Sequence, residues 1–461
     1  MIMYQIDFQK PQAVHFIGIG GISMSGLAEI LLDEGFQVSG SDAQKSALTE
    51  HLEQKGAKIF IGQRASNIEE GMEVVVYTAA IHEDNPEFAC AKERQIPMLS
   101  RAELLGEMMR NYRQAVAVSG THGKTTTTSM LTEILLQAQT DPTISVGGML
   151  DSIQGNIRIG GSDLFVTEAC EYTNSFLSFF PTMEIILNIE ADHLDFFKDL
   201  DDIRHSFHLF TERMPENGTL IINSDIENYK EITEGLSCKI ITFGKAQDST
   251  YCAENIAYDE FARPSYDLIK DGEKAGRINL GVTGEHNVYN SLAAIAAAWE
   301  LGVSVEDMQK GLSGFSGPHR RFEKKGELHG ITIIDDYAHH PQEIHATLSA
   351  AKNYPHNTLW CVFQPHTYTR TKALMDDFAR ALAEADQVVL ADIFPARETD
   401  NLGISSADLA EKIEQLGTKV HYLPSFDDIE TFLLENCVNG DLLITMGAGD
   451  IVKVGEKLLG Q

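Results

Sequence analysis

Positive charge is scarce in this chain of 461 residues: 36 Lys and Arg stand against 68 Asp and Glu, a net charge of −32 at neutral pH. That balance excludes a nucleic acid or an anionic membrane as the main partner, because both would be repelled. Any phosphate chemistry must therefore rest on a few basic groups gathered in one place. Cysteine is sparse as well. Cys90, Cys170, Cys238, Cys252, Cys361 and Cys437 show no C-x-x-C spacing, so neither a zinc site nor a disulfide framework is indicated, and reduced thiols fit best. Long apolar runs are missing: nothing reaches the ~18 apolar residues of a membrane span, and Met1 to Gln12 has no apolar signal core. The expectation is a soluble cytoplasmic protein, monomeric or dimeric. Its apolar content of 43% is enough for several cores, and at ~150 residues each the length points to about three domains.

One stretch organises the rest. Ala115-Val-Ala-Val-Ser119 reads as a strand, Gly120-Thr121-His122-Gly123-Lys124-Thr125-Thr126 follows, and Met130, Leu131, Ile134 and Leu135 recur at helical spacing. This is strand, phosphate loop, helix. Glycines let backbone N–H groups approach phosphate oxygens, the helix N-terminus adds positive potential, Lys124 reaches the terminal phosphates and Thr125 can ligate Mg²⁺. The full G-x-x-x-x-G-K-[ST] pattern is not met, because Val118 stands at its first glycine.

Nearer the N-terminus, a strand from Ala13 runs into Gly18-Ile-Gly20-Gly21-Ile-Ser23-Met-Ser25-Gly26, and Leu27, Ile30 and Leu31 then share a helical face. Asp42 closes a second strand about twenty residues on, where an acid meets a ribose in dinucleotide folds. A third apolar run, Val74 to Tyr77, ends at the hydroxyl of Thr78. Because Ser23 takes the place of the third glycine, the turn reads first as a site for a nucleotide other than NAD(P), with an NAD(P) site and a merely tight turn as the alternatives.

Beyond the phosphate loop, Gly147-Gly148 and Gly155-Asn156 read as turn signals. Glu168 and His193 end two buried strands and predict a hard-metal site around phosphates. Residues 247 to 282 are polar and irregular, a small antiparallel addition. An Ala-rich helix then begins near His286, with His286, Asn287 and Asn290 placed to contact a base; N-capping accounts for Asn287 as well. Gly314 to Pro318 marks a linker. Strands Ile331 to Ile334, Thr358 to Phe363, Gln387 to Leu390 and Leu442 to Thr445 then alternate with helices starting near Pro341, Arg370, Ser406 and Phe426, a further α/β domain with a largely parallel sheet. Its strand ends carry Asp335 to Pro341, Gln364 to Arg370 and Gly447 to Asp450, which read as one binding edge.

Taken in order, these motifs resemble the Mur ligases, ATP-dependent amide-forming enzymes of peptidoglycan synthesis. The match covers Gly18 to Gly26, Gly120 to Thr126, Glu168, Asn188 to His193, His286 to Asn290, Arg320-Arg321-Phe322, Asp336 to Pro341 and Gly447 to Asp450. The resemblance implies an α/β protein of three domains: a Rossmann-like domain for a UDP-sugar over residues 1–112, a central P-loop ATPase domain over 113–317, and a C-terminal Rossmann-like domain over 318–461. By the same resemblance Gly120 to Thr126 bind ATP, with Lys124 on the β and γ phosphates; Thr125, Glu168 and His193 hold Mg²⁺; His286 and Asn290 meet adenine; and Arg321 and Asp336 reach ribose and phosphate. Gly20, Gly21, Ser23, Ser25, Asp42 and Thr78 line the UDP-sugar site. The opening turn and the Asp-Asp-Tyr-Ala-His-His-Pro and Phe-Gln-Pro-His motifs are similar to those of the branch that adds L-alanine to UDP-N-acetylmuramate. The alternative is the branch that attaches a recycled tripeptide to the same sugar. Two departures matter: Phe207 occupies the position where several relatives carry a carbamoylated lysine, and Thr367 stands where many carry Arg, leaving Arg370 to grip the amino-acid carboxylate.

Overall fold

The computed structural model describes residues 4–194 and 196–461, so the first residues of the Met1 to Gln12 stretch lie outside it. Near the N-terminus, β1 (Ala13–Ile17), α1 (Ile22–Asp33), β2 (Gln37–Asp42), α2 (Ala47–Gln54), β3 (Lys58–Ile61), β4 (Val74–Tyr77), α3 (Pro86–Glu93), β5 (Met98–Ser100) and α4 (Arg101–Met109) form a sheet of order β3-β2-β1-β4-β5. Every pairing in it is parallel. Val74, Val75 and Val76 are buried without alternation, the pattern of a strand covered on both faces. Strand order reverses between β1 and β4, so a crevice opens beyond the carboxyl end of β1. The Gly18 to Gly21 turn occupies that place.

The middle of the chain contributes β6 (Gln114–Ser119), α5 (Lys124–Gln137), β7 (Thr143–Leu150), β8 (Gly155–Arg158), β9 (Leu164–Glu168), β10 (Met183–Ile186), α6 (Leu200–Thr211), β11 (Thr219–Asn223), α7 (Tyr229–Ile232), β12 (Lys239–Gly244), β13 (Tyr251–Tyr258), β14 (Pro264–Lys270), β15 (Glu273–Asn279), α8 (His286–Glu300) and α9 (Val305–Gly314). They share one sheet of order β15-β14-β13-β12-β11-β10-β6-β9-β7-β8. The antiparallel addition is β13 to β15, continuous with that sheet rather than separate from it. α8 is alanine-rich because it is buried nearly all round: Ala293, Ala294, Ala296, Ala297 and Ala298 have no exposed surface, as expected of a helix without a solvent face. Gly147 and Gly148, read above as a turn, lie inside β7, and Gly155-Asn156 opens β8. The reason for Gly147 is close approach, since a Cβ there would lie 2.9 Å from Oε1 of Glu168. Phe207 is fully buried against Phe176, an apolar role in place of a modified lysine.

The last sheet has order β16-β17-β21-β18-β19-β20, built from β16 (Glu323–Leu328), β17 (Ile331–Asp336), β18 (Leu359–Phe363), β19 (Gln387–Leu390), β20 (Lys419–Tyr422) and β21 (Leu442–Met446). Its helices are α10 (Pro341–Lys352), α11 (Tyr368–Ala373), α12 (Met375–Leu382), α13 (Ser406–Gln415), α14 (Phe426–Asn436) and α15 (Val452–Leu458). Asp336 and Phe363 both stand in register with Met446 across parallel pairings. The three polar clusters therefore leave the sheet at one edge. Among the described residues no helix is long and apolar enough to cross a membrane.

Candidate active site

The phosphate loop is held in a strained curl that only glycine tolerates at two points. Gly120 has φ +135° and Gly123 has φ +85°, and a Cβ on Gly123 would lie 2.6 Å from Oδ1 of Asn290. Asn188, just past β10, clamps the loop by accepting from the His122 amide at 2.8 Å and donating to the His122 carbonyl at 3.0 Å. Lys124 begins α5 and its ammonium turns back over the loop, donating to the carbonyls of Gly120 and Thr121. It also meets the buried carboxylate of Glu171 at 3.0 Å. Burial works against the ammonium, yet Glu171 holds its pKa above the ordinary lysine value.

Glu168 ends β9 beside the loop. Its Oε2 accepts from the Thr125 hydroxyl at 3.0 Å, and its Oε1 accepts from the Gly147 amide at 2.5 Å. Burial raises its pKa even so. His193 lies on the other side of Lys124, in the left-handed region at φ +52°, with its ring against Tyr172. Its nearest carboxylate partners are Glu171 and Asp192, both at 3.8 Å. Glu171, which sequence reasoning missed, thus stands between Lys124 and His193. Among the described residues no cluster of three or more His, Cys, Asp or Glu is disposed to hold a metal, so an ion here would draw on few protein ligands, such as the Thr125–Glu168 pair, with phosphate and water completing its shell.

A cavity of about 410 Å³ opens from the loop toward the C-terminal sheet, bordered by Gly123, Thr126, His286, Asn290, Arg321 and Asp336. Asn287 does not cap α8; its amide donates to the Thr283 carbonyl, and its oxygen accepts from Asn290. Desolvation by the cavity wall, with Arg321 nearby, pulls the His286 pKa down to about 4, although the side chain remains open to the cavity. Asp336 accepts the amides of Phe322 and Ala338, each at 2.8 Å, and burial lifts its pKa to about 6. Of the two adjacent arginines, Arg320 is a brace that donates to Asp335 and to the carbonyls of Gly447 and Gly449, whereas Arg321 borders the cavity.

A second cavity, of about 300 Å³, lies between Asp192, His193 and Leu194 on one side and Thr367, Arg370 and Leu374 on the other. Arg370 spans it, with Nη2 3.4 Å from Asp192 Oδ1 and Nη1 3.2 Å from His366 Nδ1. Burial opposes a charge on Asp192, but His193 and Arg370 hold its pKa down to about 2.

The N-terminal turn is a separate ledge. Gly18 and Ile19 donate to the Ser41 carbonyl, and the Gly20 amide donates to Asp42 Oδ2 at 2.9 Å. Gly21 and Ser23 are exposed, and Thr78 is half-buried beside them. Ser25 departs from the expectation: its amide bonds the Gly21 carbonyl and its hydroxyl the Ile22 carbonyl, so both of its donors are engaged inside α1.

Comparison with known proteins bears on the whole chain. The description "Mur ligase family, catalytic domain" matches residues 13–113, "Mur ligase middle domain" matches 118–298, and "Mur ligase, glutamate ligase domain" matches 320–449. The chain is 64% identical to the UDP-N-acetylmuramate–L-alanine ligase of Lachnospira eligens, over 99% of this chain and 100% of that one. Among solved structures it is similar to the UDP-N-acetylmuramate-alanine ligase of Thermotoga maritima, with TM-score 0.79 and 29% identity over 97% of this chain and 98% of that one. It is also similar to a murein peptide ligase of Psychrobacter arcticus, with TM-score 0.70 and 27% identity over the same shares.

Proposed function

The chain belongs to the Mur ligase family, and from that premise we propose that it joins L-alanine to the lactyl carboxylate of UDP-N-acetylmuramate in peptidoglycan precursor synthesis, cleaving ATP to ADP and phosphate. The observation that carries this reading is that the two cavities abut one segment: Asn188 and Glu190 border the larger, while Asp192 and His193 border the smaller. A nucleotide on one side and an amino acid on the other would meet beside the Lys124–Glu171 pair.

In this reading Gly120 to Thr126 bind the triphosphate, His286 and Asn290 meet adenine, and Arg321 and Asp336 face ribose and phosphate. Gly20, Gly21, Ser23, Asp42 and Thr78 receive the UDP-sugar, with Ser25 supporting the turn from within. Thr125 and Glu168, already 3.0 Å apart, fit a Mg²⁺ with His193 nearby, and when bound the ion supplies charge neutralisation between two anions that must meet. A carboxylate oxygen of the sugar attacks the γ-phosphorus, the bond to ADP breaks, and an acyl phosphate forms; Lys124 stabilises the charge that gathers on the transferring group. The alanine amine then attacks the acyl carbon and phosphate leaves. Arg370 orients the amine by pairing with the alanine carboxylate, and Leu194 and Leu374, which border the same cavity, lower its polarity beside the acyl phosphate.

An ADP-release assay over a matrix of UDP-sugars and amino acids tests this. ADP should appear with UDP-N-acetylmuramate plus L-alanine. Preferential turnover with the tripeptide would move the protein to the neighbouring branch.

A further inference from the structure

Glu343 belongs to the first turn of α10 in the C-terminal domain, yet it faces the phosphate loop of the middle domain. Its two oxygens divide their contacts. Oε2 accepts the amides of His339 at 3.0 Å and His340 at 3.3 Å and lies 3.2 Å from His339 Nδ1. That is the reciprocal half of a capping box. Oε1 takes no part in the cap. It lies 3.5 Å from Nδ1 of His122 and 3.5 Å from Nη1 of Arg321. His122 is held from its other side by Glu190 of the middle domain, with Nε2 3.2 Å from the carboxylate, and its ring lies against that of His340.

A helix cap does not explain this arrangement. Capping is served by glutamine as well as by glutamate, and a carboxylate beside a pocket for polyphosphate opposes the ligand. The charge of Oε1 has a use only toward the two cations it meets. Both border the nucleotide cavity, one from the loop and one from the segment joining the middle and C-terminal sheets.

We propose that Glu343 is a positioning residue for phosphoryl transfer: on docking of the C-terminal domain, its Oε1 fixes the His122 imidazolium and the Arg321 guanidinium in the orientation that receives the γ-phosphate. It acts through those two side chains and touches no reacting atom. Preorganised charges of this kind act in the transition state more than in ground-state binding, so the loss belongs in kcat and not in nucleotide affinity. The inference rests on the nucleotide reading of this cavity.

Glu343→Gln separates the two roles, since the amide oxygen can keep the cap while its NH₂ group faces two cations. Calorimetric titration of ATP in the absence of the other substrates, thermal melting and steady-state ADP release should be measured together in the full chain. The expected result is a folded variant whose kcat falls 10- to 100-fold while ATP binds equally well or tighter, because a negative charge has left the pocket. Glu343→Asp, which retains the charge on a shorter arm, should recover part of the loss. A kcat within twofold of the parent overturns the proposal. So does a fall in ATP affinity that matches the fall in kcat, or loss of the folded state in the Gln variant, either of which makes the carboxylate structural. A parent chain that fails to bind ATP breaks the underlying nucleotide reading, and this inference with it.

Discussion

Lys124 holds its charge against burial because Glu171 lies at 3.0 Å, and phosphate would compete for the same ammonium. Lys124→Ala should lower ADP-release turnover by roughly 10² to 10³, the usual loss for one preorganised charge, in a chain that still folds but melts lower because buried Glu171 loses its partner; near-parental ADP formation would remove the phosphate-loop argument. The reach of the sequence differs sharply between these two partners. Lys124 was legible because glycine, lysine and hydroxyl follow a strand in a fixed order. Glu171 was not, because it follows β9 in an irregular segment without period, and its partner is 47 positions away in the chain. Glu343 was hidden for a related reason: an acid in the first turn of a helix already has a local explanation, and its contact with His122 exists only once two domains are docked.

At the scale of elements, the strands that the sequence did not disclose are β3, β5, β7, β8, β16 and β20, and all but β7 are sheet edges. Edge strands bury little, so they lack the continuous apolar run that marks β4, β6 and β18; β16 reads Glu-Lys-Lys-Gly-Glu-Leu. Central strands and phosphate-loop helix were readable for the opposite reason. The misread glycines of β7 carry a functional consequence. Gly147 permits its strand to pass against Glu168, and a Cβ would stand 2.9 Å from Oε1 and 3.2 Å from Cδ. Gly147→Ala should therefore displace the carboxylate from Thr125 and raise the Mg²⁺ concentration for half-activity roughly 10- to 100-fold, as for losing a group that orients a ligand. Titrating Mg²⁺ at saturating ATP measures it; an unchanged half-activity concentration would detach Glu168 from the metal.

The whole molecule depends on contacts between its three sheets. His122 joins the middle and C-terminal domains through Glu190 and Glu343. Burial lowers its basicity, but the two carboxylates more than compensate and raise its pKa to about 9. The folded value lies above the unfolded one of about 6.5, so this contribution to docking is complete below that pH and is lost as pH climbs through about 9. Small-angle scattering of the nucleotide-free protein should show opening over that window, and a constant profile to pH 10 would contradict it. On the opposite side, Gly26 lets α1 press on β8, where a Cβ would overlap Ile157 at 2.2 Å. That contact seats the N-terminal helix on the middle sheet. The turn has Ser23 in place of a third glycine and Asp42 bonded to the Gly20 amide at 2.9 Å; a hydroxyl at the N-terminus of α1 suits a sugar-nucleotide diphosphate. UDP-N-acetylmuramate should bind without ATP, and NADH should not bind. In Gly20→Val the added Cβ would stand 2.8 Å from Asp42 Oδ2 and 3.0 Å from Thr49 Cγ2, closing the backbone approach. Calorimetry should then show the sugar nucleotide weakened at least tenfold, or about 1.4 kcal/mol, with ATP affinity retained because the phosphate loop belongs to another sheet. Equal loss of both ligands would mean that the turn supports the fold instead of the substrate.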